Sequence, residues 1–172
     1  MSKYDIVIGI DPDIDKSGYV VVDAKSGKVT TATTWEIAKL YGVLAADKEY
    51  CTRVGLKLLV VVEAAYLGSH HNWHLDSGRE RNIKKAMAIA ATIGYHTGRN
   101  HEVGRSIVEF CRYMEIDVIP QKPLRKCWKG KDNKITHEEI TKITKWDKAR
   151  SNQEVRDALL LAWTHTKLPM KL

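Results

Sequence analysis

The chain has 172 residues, three cysteines and a formal net charge of +7, from 28 Lys and Arg against 21 Asp and Glu. That length suits one domain, residues 1–172, able to bury a core without disulfide or metal staples. No apolar run of about eighteen residues is present to span a membrane, the N-terminus lacks a signal-peptide layout, and Cys51, Cys111 and Cys127 form no C-x-x-C pair, so a reducing, cytoplasmic setting and polyanionic partners are expected.

The first strong signal is Ile6 to Ile10, apolar or small throughout and rich in β-branched types. It reads as a central strand buried on both faces. The strand runs into Asp11 and Pro12. Burying an unpaired carboxylate is expensive, so Asp11 needs a cation, a donor or water; it reads equally as a turn residue accepting backbone N–H groups. Pro12 cannot donate and ends the strand pairing. Asp11, Asp13 and Asp15 imitate the start of a calcium loop, but Lys16 and Val22 stand where that loop needs Gly and Glu. Asp13 and Asp15 are turn residues instead.

Gly18 to Ala24 forms a second strand, Lys25-Ser26-Gly27-Lys28 a hairpin turn, and Val29 to Thr34 a third strand. Helical spacing from Trp35 to about Arg53 stops at Gly55. Leu56 to Val62 is another continuous apolar strand, and it too ends in a carboxylate, Glu63. Residues 64–79 are a polar loop with Tyr66, Trp73 and the histidines His70, His71 and His74, which could face solvent or DNA, or bind zinc.

Ile83 to about Tyr95 is an Ala-rich helix, with Gly94, Gly98 and Gly104 blurring its end. Ile107 to Met114 continues as helix, and a short strand, Ile116 to Ile119, is closed by Pro120. Lys122, Arg125, Lys126, Lys129, Lys131 and Lys134 then follow, opposed only by Asp132, a local excess of 6 − 1 = +5 around Trp128. This is either a solvated loop or a surface for phosphate contact with base stacking. Thr136 to Glu139 opens a helix with a capping-box pattern. Ser151 to Glu154 opens the last one, apolar almost all round through Trp163. Glu154 either caps that helix with Ser151 or shares a face with Asp157, three residues on. Three strands, then helix, strand, helix, strand and helix, make an α/β chain with a mixed sheet. Trp35 and Trp163 look like core, Trp73 and Trp128 like ligand contacts, and the cysteines inert.

Asp11, Glu63 and Asp157, if they converge, form an all-oxygen donor set suited to hard divalent cations. Two such ions about 4 Å apart stabilise the attacking and leaving oxygens of phosphodiester cleavage.

Ile8-Gly9-Ile10-Asp11-Pro12 with Ser17-Gly18-Tyr19 resembles the opening of RuvC-type Holliday-junction resolvases, in the ribonuclease H-like superfamily. Val60-Val61-Val62-Glu63-Ala64-Ala65-Tyr66 resembles their second motif. Glu154-Val155-Arg156-Asp157-Ala158-Leu159, running on to Trp163-Thr164-His165, resembles the C-terminal one. The resemblance implies a ribonuclease H-like three-layer fold with a mixed five-stranded sheet flanked by helices. It implies Mg²⁺ or Mn²⁺, two per active site, on Asp11, Glu63 and Asp157 with Glu154 as fourth acid. A homodimer nicking branched DNA is implied as well, with Tyr66 near the bases and Lys126, Lys131 and Lys134 among the phosphate contacts. Asp13 stands where the family usually has Gly, and Glu154 where it has Asp. An RNA or RNA–DNA hybrid nuclease, and a nucleic-acid-binding protein without catalysis, are the alternatives. Gly-Ile-Asp before a Gly-bearing hairpin also opens actin and sugar-kinase folds, which generally need two such domains.

Overall fold

The computed structural model describes residues 2–68 and 81–170; the histidine-rich run with His70, His71, His74 and Trp73 lies outside them. Five strands form one mixed sheet: β1 (Ile6–Asp11), β2 (Ser17–Asp23), β3 (Val29–Trp35), β4 (Leu58–Glu63) and β5 (Asp117–Gln121), in the order β3-β2-β1-β4-β5. The β1–β2 and β2–β3 pairs are antiparallel, whereas β1–β4 and β4–β5 are parallel. Parallel neighbours need crossovers. Helix α1 (Ile37–Val54) lies in the first and helix α2 (Ile83–Tyr113) in the second. Helices α3 (His137–Thr144) and α4 (Gln153–Thr166) close the chain.

Strand alternation divides the apolar side chains into two cores. Val7, Val20, Val22, Leu59 and Val61 face α3 and α4, meeting Ile140, Ile143, Leu159 and Trp163. Ile8, Ile10, Tyr19, Val60 and Val62 face the other way, onto Leu40 and Leu44 of α1 and Ile107, Val108 and Cys111 of α2. β1 and β4 supply both cores. That is why their sequences read as unbroken apolar runs. Burial pushes the Cys111 thiol up to about 12, so it is a packing group and no nucleophile.

Four details differ from the sequence reading. First, α2 is one helix of 31 residues that runs unbroken through the glycines expected to blur its end. Gly98 and Gly104 each cost about 1 kcal/mol in a helix interior. Val103, Ile107, Val108 and Cys111 are buried, and the apolar ones contribute roughly 1.5–3 kcal/mol each, so continuity wins. Second, β5 runs through Pro120 to Gln121; it is an edge strand, where a missing N–H is tolerated. Third, Trp35 is only partly buried, at the rim of the second core. Fourth, α4 is capped by Asn152, whose Oδ1 accepts from Val155 N at 3.0 Å, while Ser151 Oγ meets His137 Nδ1 at 2.9 Å. Glu154 is therefore left out of a capping box. The box at α3 forms as the sequence spells it, between Thr136 and Glu139, and Gly55 ends α1 in the left-handed conformation, φ 74°.

Candidate metal and nucleic-acid site

Parallel pairing of Ile10 with Val62 carries Asp11 and Glu63 to the same end of adjacent strands. Both keep the parity of Val7 and Val61, whose side chains pack beneath α4, so both carboxylates project to the α4 side of the sheet. Two glycines bring the helix down onto them. A Cβ on Gly9 would collide with the Ala158 carbonyl and stand 2.8 Å from Ala162 N, and one on Gly18 would collide with the Glu154 carbonyl. Only bare backbone permits that approach. The first turn of α4, with Glu154 and Asp157, is thus pressed onto the strand tips.

The result is a cleft in two compartments that share Asp11, Glu63 and Lys134. Asp157, Arg125, Lys126 and Trp128 border the first. Glu154, Tyr66, Thr97, Asn100 and His101 border the second. Asp11 and Glu63 thus face both compartments, with Asp157 on the first and Glu154 on the second; Arg125, Lys126 and Trp128 reach the first, and Lys134 reaches both. Lys122, Lys129 and Lys131 of the same basic segment do not line either compartment. Trp128 is partly buried against the α4-side core, which roots the segment as well as lining the cleft.

The turn after β1 draws its hydrogen bonds from Asp13 and Ser17. Asp13 Oδ1 accepts from Asp15 N at 2.9 Å, and Asp13 N donates to Ser17 Oγ at 3.1 Å. Asn100 of α2 holds this turn from above, accepting from Ile14 N at 3.1 Å and donating to Asp13 Oδ2 at 3.4 Å. Arg105 lies over the Tyr66 ring at 4.9 Å, and His101 stands edge-on to it at 6.4 Å. The sequence reading overlooked this α2 wall. Thr97, Asn100 and His101 have the i, i+3, i+4 spacing of one helix face, a signal masked by expecting a helix end there.

Burial, then the neighbouring Glu63 and Asp157 charges, hold the Asp11 carboxyl well above the usual carboxylate range, against a weaker pull from Lys134. Burial and then Asp157 push Glu63 up as well, opposed by Lys126 and Lys134. Asp157 is differently engaged. Its Oδ1 accepts from Gln153 Nε2 at 2.8 Å, and its Oδ2 lies 3.5 Å from Lys134 Nζ. Among the described residues no three His, Cys, Asp or Glu side chains stand in a ready-made ligand cage. The chemistry of the donor set still fits a hard divalent cation, because it is all oxygen and because buried, closely grouped carboxylates gain most from a cation that neutralises them.

No family model matches the sequence, and no curated protein matches it. Among solved structures, Thermus thermophilus RuvC in complex with Holliday junction substrate superposes with a TM-score of 0.51 at 18% sequence identity, covering 93% of this chain and 91% of that one. The fold is ribonuclease H-like. A second Thermus thermophilus RuvC structure superposes with a TM-score of 0.48 at 18% identity, over 93% of this chain and 92% of that one. In this ribonuclease H-like fold the helices flank a five-stranded mixed sheet, and the cleft lies at the ends of the two central strands. No helix among the described residues is long and apolar enough to cross a membrane.

Proposed function

We propose that this protein is a metal-dependent, structure-selective endodeoxyribonuclease of the RuvC type, acting in the cytoplasm as a single-domain chain that resolves four-way DNA junctions by paired nicks. One observation carries the reading. Two strand-end carboxylates and two from a helix start border one two-compartment cleft that Arg125, Lys126 and Lys134 also line. Asp11, between the compartments, serves both halves of the site, with Glu63 and Asp157 to either side and Glu154 as the fourth acid. Bound there, Mg²⁺ or Mn²⁺ supplies Lewis-acid stabilisation of charge on the attacking and leaving oxygens. Lys126 and Lys134 hold the phosphate backbone, and Trp128 and Tyr66 offer rings to bases exposed where strands part. In-line attack by water leaves 5′-phosphate and 3′-hydroxyl ends.

Paired nicks need two such sites, so the active species is a homodimer. The exposed first half of α2 supports that part, with Ile83 76%, Met87 66% and Tyr95 62% accessible. A monomeric mass by light scattering counts against it. The activity test is a synthetic four-way junction beside linear duplex, in Mg²⁺ or EDTA, with Asp157→Asn alongside. Junction-specific, metal-dependent nicks lost in the variant support the reading; cleavage unchanged by the substitution ends it. The Lys134–Asp157 ion pair favours one second reading, a junction-binding protein without catalysis. Junction binding without nicks, and without Mn²⁺ uptake, identifies that case.

A further inference from the structure

The acid cleft already contains a cation of its own. Lys134 borders both compartments beside Asp11 and Glu63, and its Nζ lies 3.5 Å from Asp157 Oδ2. We propose that Lys134 is the resident counter-cation of the acid cleft: it competes with a divalent ion for Asp157, and is handed to the nucleic-acid backbone once that ion is bound. The inference rests on the nuclease reading and adds to it a coupling between metal and DNA.

The backbone around Lys134 is fixed, so only its side chain has to move. Lys134 N donates to Lys131 O at 3.1 Å, and its carbonyl accepts from Gly130 N at 3.0 Å. The next residue, Ile135, is 1% exposed. Glu139, which completes the capping box of α3 with Thr136, also accepts from Lys129 N at 3.2 Å and so ties the basic segment to the helix. On that fixed base sits a compact ammonium on a flexible stem, able to change partners without moving the chain.

The partner it holds is one the metal needs. Gln153 takes Asp157 Oδ1, which leaves Oδ2 for Lys134 or for a metal. Divalent ions bind carboxylate oxygens at about 2.0–2.6 Å. An ammonium at the same oxygen would then face two positive charges at close range, and it leaves. The nearest use for it is a phosphate held by Arg125 and Lys126, which line the same compartment. The lysine thus has two roles of opposite sign. It weakens metal binding while DNA is absent, and strengthens DNA binding once metal is present. A lysine with a purely structural role would alter both in the same direction or neither.

The test uses Lys134→Met, which keeps the apolar stem, and Lys134→Arg, which keeps the charge. Mn²⁺ binding without DNA is read from the free-ion electron paramagnetic resonance signal. Lys134→Met is expected to bind Mn²⁺ about fivefold tighter than the wild type, the factor set by one partly exposed ion pair, and Lys134→Arg within about twofold of it. Affinity for a four-way junction is read by fluorescence anisotropy in EDTA and in Ca²⁺. The Met variant is expected to match the wild type in EDTA and to lose several-fold in Ca²⁺. Equal Mn²⁺ affinity in wild type and Lys134→Met, or a junction loss of the same size in EDTA and Ca²⁺, overturns the proposal. Asp11→Asn separates the failures. If it abolishes Mn²⁺ uptake while Lys134→Met changes nothing, only the lysine's role falls; if Mn²⁺ binds none of these proteins, the nuclease reading falls with it.

Discussion

Gly9 in β1 lies directly beneath the Ala158 carbonyl of α4, so close that a single methyl group has nowhere to go. Gly18 stands in the same relation to Glu154 one strand over. These two backbone contacts set the height of α4 above the sheet, and therefore the distance from Asp157 to the strand-end acids. Gly9→Ala is expected to lift the helix at a cost of about 1–3 kcal/mol, the usual range for overpacking. Urea unfolding would register the loss. Mn²⁺ uptake should fall with it, even in molecules that remain folded.

Asp11 is kept as a strained acid in a crowd of acids, and neutralising it should relieve the fold while destroying the site. Asp11→Asn is expected to raise the melting temperature of the metal-free protein by about 2–4 °C at pH 7.5, the equivalent of roughly 1 kcal/mol. The same variant should take up no Mn²⁺ and nick no junction. A lower melting temperature in EDTA would mean that the buried carboxylate is satisfied by something in the protein itself.

The pH dependence has a definite sign. Asp11 and Glu63 both titrate above their ordinary values in the folded chain, so folding favours their protonated forms. Their contribution to stability is complete below the unfolded-state carboxylate range and is lost as pH rises through the raised folded values. A divalent cation restores it by neutralising the ionised pair. Mg²⁺ is therefore expected to raise the melting temperature more at pH 8 than at pH 5, and Asp11→Asn should remove most of that difference. Asp5, Asp23 and Glu139 are shifted the other way, so the comparison with the variant, not the raw profile, isolates the cleft.

The basic segment divides into residues that line the cleft and residues that do not. Lys126→Ala should weaken junction binding and reduce the slope of log affinity against log salt by about 1, as expected for one lost phosphate contact. Lys131→Ala, outside both compartments, should change affinity less at the same salt concentration. Equal effects would show that the charge of the segment matters only in bulk.

Much of this was readable from sequence because the signals were large. The unbroken apolar runs before Asp11 and Glu63 mark strands covered on both faces, and β-branched content fixes them as strands over helices. Asp157 was readable because a carboxylate near the start of an otherwise apolar helix asks for a partner. Other features depend on balances a sequence does not display. The continuity of α2 turns on buried side chains such as Ile107 outweighing helix glycines. The cap of α4 passes to Asn152 because Ser151 is engaged by His137, a residue of another helix. The pairing of Lys134 with Asp157 joins a loop to a helix through space, and no periodicity encodes it.

β1 and β4 are covered by apolar layers above and below, and Asp11 and Glu63 are the last residues of those two strands. Amides in such strands exchange with solvent only when the whole molecule opens. Two of the four acids are therefore mounted on strands expected to exchange slowest, while Lys134 stands on a short segment at the surface. Mild denaturant should release the lysine's side of the cleft first and leave the acidic floor standing until the chain unfolds as a unit.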